Sequence, residues 1–496
     1  MPFLNDDYQL LGFHNKRSLW AILSLFWSKD LTVVYWRPLA NILHPIILFI
    51  AGYNSFVFHF IGVILYGICC ILIAKVIESV GVKKEYAVLT AALFAVLPSH
   101  DYQVAWIVDQ GESLVTIFLL LTFIYYGRNK IIALLFFIAA LLSKESSFTG
   151  IFIPFLYMFI DNKKEKKKIV YVKDSLIGLA VIVLLQIYRY FVIGGSPVSS
   201  GNFQNTGPLK WIANFLIYIP LSFIPPDNLE GILLSKNLAL FIFVAAIAAA
   251  IIWYSIISFR RLSESKRKIV YLGLAWFIIF IIPALAKMMR WYVFTASVGF
   301  AFIFAILAEQ VVKKKLFVGI LTLIIVFILY SDISRMMTWK ESGEKMDGIV
   351  NSLKSYKGKS DFVLWCIPEK YNNVPLMKLG VSETVGFAVN NRCPNVTSPL
   401  RCEIFSDVSS IEFYKLNDSV IVFTLWGGRF KSLEGASSSF LKTERFSFAD
   451  DGYKIEVNNG INDRVSKAMV ILPPLKKSAA NLYFNGVNFM PLSSIL

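Results

Sequence analysis

A chain of 496 residues that is 56% hydrophobic, with a mean hydropathy of +0.61, is too apolar to be a soluble globular protein. The net charge of +16 does not indicate a nucleic-acid-binding protein, because the basic residues form short clusters between apolar runs. The aromatic content of 15%, with 42 phenylalanines, is typical of lipid-facing helices and interfacial belts. The composition therefore indicates an integral membrane protein.

Apolar runs recur along the chain at lengths that suit a bilayer. A helix needs about 20 apolar residues to cross a hydrocarbon core about 30 Å thick. Two segments, 17–27 and 38–51, come first and are predicted to be helices lying along the outer membrane surface, the second interrupted at His44-Pro45. About ten spans follow, near 56–77, 86–99, 106–127, 129–144, 146–160, 170–193, 236–259, 269–286, 292–311 and 316–330.

Basic clusters between the runs predict the orientation. Counting 211–224 as a further span would move the basic cluster that starts at Arg260 to the opposite side, so we expect that segment to be a dipping or surface helix. Both termini then face the outer side. The clusters that fall together on the cytoplasmic side are Lys83-Lys84, Arg128 with Lys130, Lys163 to Lys168, Arg260 to Lys268, and Lys313 to Lys315.

The tail from Ser331 onward is large enough for a small domain. An amphipathic stretch opens it, in which Trp339, Met346, Val350, Leu353 and Tyr356 approximate helical spacing. Strands are predicted at 361–367, 419–425, 453–457 and 467–472, between turn residues. Cys393 and Cys402 could form a disulfide if the tail faces an oxidising compartment.

The fold class that follows is an all-α polytopic membrane protein with a small C-terminal α+β extracytoplasmic domain. We expect three segments: 1–55 with the outer loop and surface helices, 56–330 with the spans, and 331–496 with the outer α+β cap.

Ionisable residues are scarce in the predicted outer joints, so each is a candidate for chemistry. Each also has a structural alternative: a solvated turn for the N-terminal acids, a helix-start carboxylate for Glu112, an interfacial ion pair for Lys144-Glu145, and snorkelling anchors for the arginines. The candidates are Asp6, Asp7, Arg37, His100, Asp101, Asp109, Glu112, Lys144, Glu145, Lys287 and Arg290.

Taken together, these side chains favour a site for a phosphate-linked substrate. Arginine presents a bidentate fork and lysine a point charge to phosphate oxygens. A carboxylate facing them could take a proton from an acceptor hydroxyl as general base. Two adjacent acids, Asp6 and Asp7, are weak evidence for a divalent cation, so we assign no metal site and keep such a cation only as a possibility.

The ordered set of motifs resembles the GT-C superfamily of polytopic glycosyltransferases, in particular the protein O-mannosyltransferases, the transmembrane tetratricopeptide-type O-mannosyltransferases and their bacterial relatives. The resemblance covers about the first 340 residues. It is carried by Phe3-Leu-Asn-Asp-Asp7, Tyr35-Trp-Arg-Pro-Leu39, Phe58-His59, Leu97-Pro-Ser-His100, Val104-Ala-Trp-Ile107, Glu112-Ser-Leu114, Ser143-Lys-Glu145, Arg290-Trp-Tyr292 and a helix bearing Trp339.

This resemblance implies an inverting transfer of a sugar from a polyprenyl-phosphate carrier to a protein or glycan acceptor, outside the cytoplasmic membrane. It implies that Asp6 and Asp7 hold the catalytic base, and that Arg37, Lys144 and Arg290 contact the donor phosphate. Four further residues are implied to shape the cavity: His100, Asp101, Glu112 and Glu145.

Two other functions remain open from the residues alone. A transporter or flippase would favour charged or Gly/Pro-broken segments at the bilayer midplane, whereas the ionisable groups lie at the outer ends. A non-catalytic membrane scaffold with a partner-binding cap is the other alternative. The enzymes that this sequence resembles carry a membrane helix before the Asp-Asp loop, so a start codon placed too late and a truncated gene are both open explanations. We expect the DNA upstream of Met1 to encode an in-frame apolar stretch of spanning length, whereas an in-frame stop codon there would reject the misassigned start.

Overall fold

The computed structural model describes most of the helical region and the strands of the tail. The described residues are 3–4, 7–13, 19–27, 36–161, 168–193, 207–223, 259–286, 290–310, 314–372, 374–377, 381–390, 394–398, 400–404, 411–417, 420–426, 428–431, 444–450, 453–459, 465–471, 480–485 and 488–492.

The chain divides into two compact units. The helical unit comprises Lys16–Arg335, and the tail unit comprises Met1–Asn15 together with Met336–Leu496. This division differs from the three segments expected from the sequence, because the first fifteen residues group with the tail and not with the helices that follow them.

In the helical unit, the described α-helices are Leu19–Leu23, Pro38–Ala51, Ser55–Ser79, Lys84–Ala95, Asp101–Ala105, Gln110–Tyr126, Lys130–Leu141, Ile153–Tyr157, Lys168–Ile193, Pro208–Leu221, Glu264–Ile281, Val293–Gln310 and the first part of Lys314–Leu353. The 3-10 turns between them are Ser24–Phe26, Pro98–His100, Ile107–Asp109, Glu145–Phe152, Ile282–Ala284 and Arg290–Tyr292.

Five helical segments among the described residues are long and apolar enough to cross a membrane: Ser55–Ser79, Ile107–Tyr126, Lys168–Phe191, Glu264–Ala284 and Val293–Gln310. The expected total of about ten spans is not confirmed. The helices near the expected spans 86–99 and 129–144 have only 12 residues each. The expected span 236–259 lies, up to residue 258, outside the described part of the chain.

The expected span 146–160 is broken into a 3-10 helix, Glu145–Phe152, and a five-residue α-helix, Ile153–Tyr157. Serine and threonine hydroxyls in this segment bond to nearby carbonyl oxygens: Ser147 to Lys144 at 2.6 Å and Thr149 to Ser146 at 3.3 Å. Such local bonds compete with regular α-helical geometry. The apolar sequence of 146–160 therefore does not form one continuous membrane-spanning α-helix.

The helix Pro38–Ala51 lies where a surface helix was expected, but it is not interrupted at His44-Pro45. Proline inside a helix removes one backbone donor without necessarily ending the helix. The helix ends at Gly52, whose φ of 60° is readily adopted by a residue without a Cβ. The segment 211–224 is likewise helical, within Pro208–Leu221.

The helices of this unit run alternately between two ends. The segment Ile107–Tyr126 starts at the end that holds Asp109 and runs to the end that holds Arg128. The helix Lys130–Leu141 returns from there to Lys144, which forms an ion pair with Asp109. At the end opposite Lys144, Lys130 pairs with Asp174 near the start of Lys168–Ile193, and Lys266 pairs with Glu309 near the end of Val293–Gln310. We call this end the basic end, and the end that holds the described site residues around Lys144 the polar end.

Two glycines allow the helices Glu264–Ile281 and Val293–Gln310 to touch through their backbones. A Cβ on Gly273 would lie 2.5 Å from the carbonyl oxygen of Gly299, and a Cβ on Gly299 would meet the carbonyl oxygen of Gly273. Small residues at such contacts are typical of helix pairs in membranes, where close backbone approach provides the packing. Around this contact Trp276, Phe294 and Phe302 are fully buried.

In the tail unit, the described helices are Asp7–Phe13, the last part of Lys314–Leu353, and Val381–Val389. The strands are β1 (Asp361–Trp365), β2 (Ile367–Tyr371), β3 (Val374–Pro375), β4 (Asn395–Thr397), β5 (Arg401–Ile404), β6 (Ile411–Asn417), β7 (Val420–Trp426), β8 (Gly428–Lys431), β9 (Glu444–Asp450), β10 (Tyr453–Asn459), β11 (Val465–Ile471), β12 (Ala480–Phe484) and β13 (Phe489–Pro491).

These strands form three sheets within the described ranges. Their orders are β13-β12-β1-β4, β6-β7-β11-β10-β9, and β3-β2-β5-β8. The five-stranded sheet is antiparallel throughout, whereas β1 pairs in parallel with both β12 and β4. The tail is therefore α+β, as predicted, and the four predicted strands coincide with β1, β7, β10 and β11.

The amphipathic stretch of the tail is confirmed as the end of the 40-residue helix Lys314–Leu353. Trp339, Met346, Val350 and Leu353 are buried, and Tyr356 is partly buried in the following turn. Cys402 is a free, buried thiol, and Cys393 lies outside the described residues.

Candidate functional site

Asp7 belongs to the tail unit, where it begins the short helix Asp7–Phe13. Its Oδ2 accepts a hydrogen bond of 2.9 Å from the backbone N–H of Leu4, and its own N–H donates to the Leu4 carbonyl oxygen at 2.9 Å. These two bonds tie Asp7 to Leu4 at the start of the short helix. Asp7 is buried, and Asp6 lies outside the described residues. The role of either as a base stays a prediction.

Lys144 is the centre of a buried ionic cluster at the polar end of the helical unit. Its Nζ lies 3.1 Å from Oδ1 of Asp109 and 2.9 Å from Oε2 of Glu112, and 5.1 Å from the ring centroid of Tyr292. The side chains of Lys144, Asp109 and Glu112 are 7%, 2% and 1% exposed. One ammonium therefore links the end of the helix Lys130–Leu141 to the start of Gln110–Tyr126.

Neutral side chains orient the two carboxylates of this cluster. Gln103 donates to Oδ2 of Asp109 at 2.7 Å. Ser146 donates to Oε2 of Glu112 at 3.1 Å, and Thr295 donates to Oε1 of Glu112 at 2.9 Å. Buried charges are tolerated only when paired and hydrogen-bonded in this way. The geometry therefore holds four separate chain segments in register.

Glu145 takes the opposite role, as an acid between two guanidinium groups. Nε and Nη2 of Arg37 each lie 2.7 Å from Oε2 of Glu145, and Nη1 of Arg189 lies 3.5 Å from Oε1. Arg37 is 19% exposed and Arg189 only 3% exposed. The expectation of a pair between Lys144 and Glu145 is wrong in detail, because each residue finds partners elsewhere.

The pKa values follow from these pairs. Burial alone would lower the pKa of Lys144, but the carboxylates of Glu112 and Asp109 raise it above its ordinary value. Burial would raise the pKa of Glu145, but the guanidinium groups of Arg37 and Arg189 lower it. Both residues are therefore charged at neutral pH.

His100 and Asp101 lie in the next joint of the polar end. The ring of His100 is within hydrogen-bonding distance of the Ser297 hydroxyl, at 2.9 Å, and of the Tyr66 hydroxyl, at 3.0 Å. Burial lowers the pKa of His100 to about 3, so the ring is neutral. Asp101 accepts from Nη2 and Nε of Arg335, at 2.5 and 3.2 Å. The expected cavity-shaping residues thus hold the joint in place.

The structure brings together Arg37, Glu112, Lys144 and Glu145, and places His100 and Asp101 in a neighbouring joint. Arg290 lies in the turn Arg290–Tyr292, but its side chain and all of Lys287 are outside the described residues. Within the described ranges, no group of three or more His, Cys, Asp or Glu residues could hold a metal ion. Because Asp6 lies outside the described residues, the expected divalent cation beside Asp6 and Asp7 is not tested by the structure.

Sequence reasoning assigned no role to several residues that complete these clusters. Asp109 was noted without one, and Arg189, Arg335, Gln103 and Thr295 were not considered. Arg189 gave a signal, since it is a charge inside an otherwise apolar span, and such a charge normally has a partner. Arg335 gave none, because its partner Asp101 is 234 residues away.

Comparison with known proteins gives a partial likeness. Over 116 residues, 22% of this chain, the sequence is 34% identical to the protein O-mannosyl-transferase TMTC1 of Mus musculus and 31% identical to that of Homo sapiens. The match spans only about an eighth of the length of these curated relatives, 12% and 13% respectively. No protein-family model matches the chain. No solved structure matches it either.

Proposed function

We propose that the chain is an integral-membrane glycosyltransferase that moves a sugar from a polyprenyl-phosphate carrier to an acceptor hydroxyl on the outer side of the cytoplasmic membrane. The observation that carries the proposal is the 34% identity over 116 residues to a protein named as an O-mannosyl-transferase. The five apolar helices and the polar cluster at one end of the bundle support it.

In the proposed reaction, a carboxylate of Asp6 or Asp7 takes the proton of the acceptor hydroxyl. The acceptor oxygen then bonds to the anomeric carbon as the bond between that carbon and the phosphate oxygen breaks. The configuration inverts, and the polyprenyl phosphate leaves with the electron pair of the broken bond. Positioning of the reactants and stabilisation of the charge on phosphate would lower the barrier.

The contacts of the cations refine their proposed roles. Lys144 already compensates two buried carboxylates, so we assign it to positioning the joint and not to the donor phosphate. Arg37 is the stronger candidate for direct contact, because it is more exposed and a guanidinium carries five donors. The assignment of Arg290 to the phosphate remains as the sequence suggested.

The proposal is tested by following radiolabelled mannose in membrane vesicles from cells that express the chain, with polyprenyl-phosphate mannose as donor. The wild type is expected to move label from the lipid phase into protein or glycan. Asp6→Asn and Asp7→Asn are made singly, and at least one should reduce transfer by 100-fold or more, since general-base catalysis contributes about 10²–10⁴-fold.

Glu344→Gln is the matched control, because Glu344 is an exposed carboxylate of the helix Lys314–Leu353, 61% exposed. It should transfer as the wild type does. Full activity of both aspartate variants would reject the assignment of the base. Absence of transfer by the wild type, with flux of an unmodified lipid instead, would reject the enzyme and favour a flippase.

A further inference from the structure

A pocket lies at the basic end of the helical unit, away from the ionic cluster. It has a volume of about 240 Å³ and lies between the helices Gln110–Tyr126, Lys130–Leu141 and Lys168–Ile193. Its walls are apolar, with Leu134, Phe137, Ile151 and Ile177 among them. Two glycines, Gly150 and Gly178, also line it; a Cβ on Gly178 would lie 3.3 Å from Phe137, and one on Gly150 would clash with Leu119 and Phe137.

The charged residues that line this pocket lie at one side, and Thr122, which lines it one helical turn deeper than Tyr126, donates its hydroxyl hydrogen to the carbonyl oxygen of Phe118. Oδ2 of Asp174 accepts a bond of 2.5 Å from the Tyr126 hydroxyl and one of 2.6 Å from Nζ of Lys130. Lys130 is 51% exposed, so we call this charged side the mouth, and the lining residues Ile131 and Ile177, 72% and 42% exposed, open the pocket along its apolar flank as well. Phe137 lies seven residues further along its helix, about 10 Å deeper at 1.5 Å per residue. The pocket is thus polar at the mouth and apolar inside.

Basic residues flank the charged lining residues in sequence. Lys130 neutralises Asp174, while Arg128, Lys168 and Lys173 are exposed nearby in sequence. Basic clusters beside membrane helices attract anionic lipid headgroups.

The apolar interior argues against a water-filled cavity or a polar solute. A buried apolar cavity of about 150 Å³ stays dry and accepts small apolar molecules. A larger space with aliphatic walls, opening beside a bilayer, suits a flexible hydrocarbon chain. The polar mouth and basic rim suit the negative headgroup to which such a chain is attached.

We propose that this pocket binds one acyl chain of an anionic phospholipid, whose phosphate lies at the basic rim formed by Arg128, Lys130, Lys168 and Lys173. The proposal concerns a structural lipid and does not rest on the glycosyltransferase reaction. It assigns to Gly178 the role of keeping larger side-chain atoms out of the chain-binding space.

The test is a titration of the delipidated full chain in detergent with phosphatidylglycerol and with phosphatidylcholine of the same acyl chains, followed by native mass spectrometry. The wild type is expected to bind phosphatidylglycerol at least 5-fold more tightly. Gly178→Leu should weaken its binding at least 5-fold, because a Cβ at Gly178 already lies 3.3 Å from Cε1 of Phe137 and 3.7 Å from Cγ2 of Ile151.

Gly67→Leu is the matched control, since a Cβ at Gly67 meets nothing within 4 Å and the residue does not line the pocket. A second variant, Arg128→Gln with Lys173→Gln, leaves the Lys130–Asp174 pair intact and should reduce the preference for phosphatidylglycerol below 2-fold. Gel filtration and thermal unfolding show whether Gly178→Leu is folded. If it is not, the double variant still tests the proposal.

Equal binding of the two lipids by the wild type would overturn the proposal. So would unchanged binding by a folded Gly178→Leu protein, or an unchanged preference in the double variant. In a parallel arm, polyprenyl phosphate competes against phosphatidylglycerol. If it binds more tightly and loses the same affinity in Gly178→Leu, the pocket belongs to the sugar carrier and the phospholipid assignment is wrong.

Discussion

Single residues at the polar end have their charges compensated by partners that are distant in sequence. Lys144 has two carboxylates around one ammonium, and Glu145 has two guanidinium groups around one carboxylate. Because removal of one member of a buried ion pair leaves a buried uncompensated charge, it costs more than removal of the whole set. Comparing the free energy of unfolding of a single variant with that of a variant lacking the whole set can therefore show whether these charges stabilise one another.

Lys144→Met is expected to reduce the free energy of unfolding by about 3–5 kcal/mol, because Asp109 and Glu112 lose their common partner. In Lys144→Met/Asp109→Asn/Glu112→Gln the carboxylates are gone as well, so the loss should be smaller. Denaturant titration in mixed micelles measures both. As a control, Lys340→Gln removes an exposed ion pair and should cost at most about 1 kcal/mol. Equal losses for the single and triple variants would contradict a charge cluster.

His100 predicts a pH dependence of stability. The folded protein holds the pKa of His100 at about 3 by burial, whereas the unfolded chain has a pKa of about 6.5. Between these values the unfolded state binds one proton more, so stability is complete above pH 6.5 and is lost as the pH falls toward 3. The loss is up to about 1.4 kcal/mol per pH unit.

The midpoint of thermal unfolding, measured between pH 7.5 and pH 5, should therefore fall less steeply in His100→Gln than in the wild type. This range stays above the ordinary pKa of carboxyl groups, about 4. Equal slopes in the two proteins would show that His100 is protonated in the folded state without cost.

At the scale of secondary-structure elements, the hydropathy of the sequence predicted where helices form more reliably than it predicted which helices are long enough to cross the membrane. The segment 38–51 is helical and 56–77 lies within Ser55–Ser79, but 146–160 is a 3-10 helix followed by a short α-helix. The residues of 146–160 are apolar enough to face lipid, but the hydroxyl groups in this segment bond to nearby carbonyl oxygens and compete with regular α-helical geometry. The tail strands were predictable because alternation and flanking turn residues act over short distances.

The backbone contact between Gly273 and Gly299 predicts that the helices Glu264–Ile281 and Val293–Gln310 cannot accept a methyl group there. Gly273→Ala should destabilise the protein by about 1–3 kcal/mol, because the neighbouring atom is a carbonyl oxygen and cannot rotate away. Gly67→Ala, where the methyl group meets nothing within 4 Å, should be neutral or slightly stabilising. Denaturant titration in mixed micelles compares the two; similar losses would indicate that these helices separate easily.

At the scale of the whole molecule, the described basic joints and the ionic cluster lie at opposite ends of the helical unit. The positive-inside rule then predicts that the basic end faces the cytoplasm. In a variant without native cysteines, Lys84→Cys at the basic end should react with an impermeant maleimide only in inverted vesicles. Tyr53→Cys, which is 40% exposed before the helix Ser55–Ser79, should react only in right-side-out vesicles. The reverse pattern would reject the predicted orientation.

The sequence by itself determined the class of protein, the positions of most described helices and the α+β nature of the tail. These properties depend on composition and on patterns a few residues long, which a bilayer or a pleated sheet imposes directly. Glu112, Lys144 and Glu145 could be singled out because charges are scarce between apolar runs.

Only the tertiary structure decided which charges meet. It pairs Lys144 with Asp109 and Glu112 and not with its neighbour, gives Glu145 to Arg37 and Arg189, and joins Asp101 to Arg335. These partners lie between 32 and 234 residues apart, and an ion pair a few ångströms long depends on how whole helices pack. No local pattern carries that information, because helix packing is set by all the contacting side chains together.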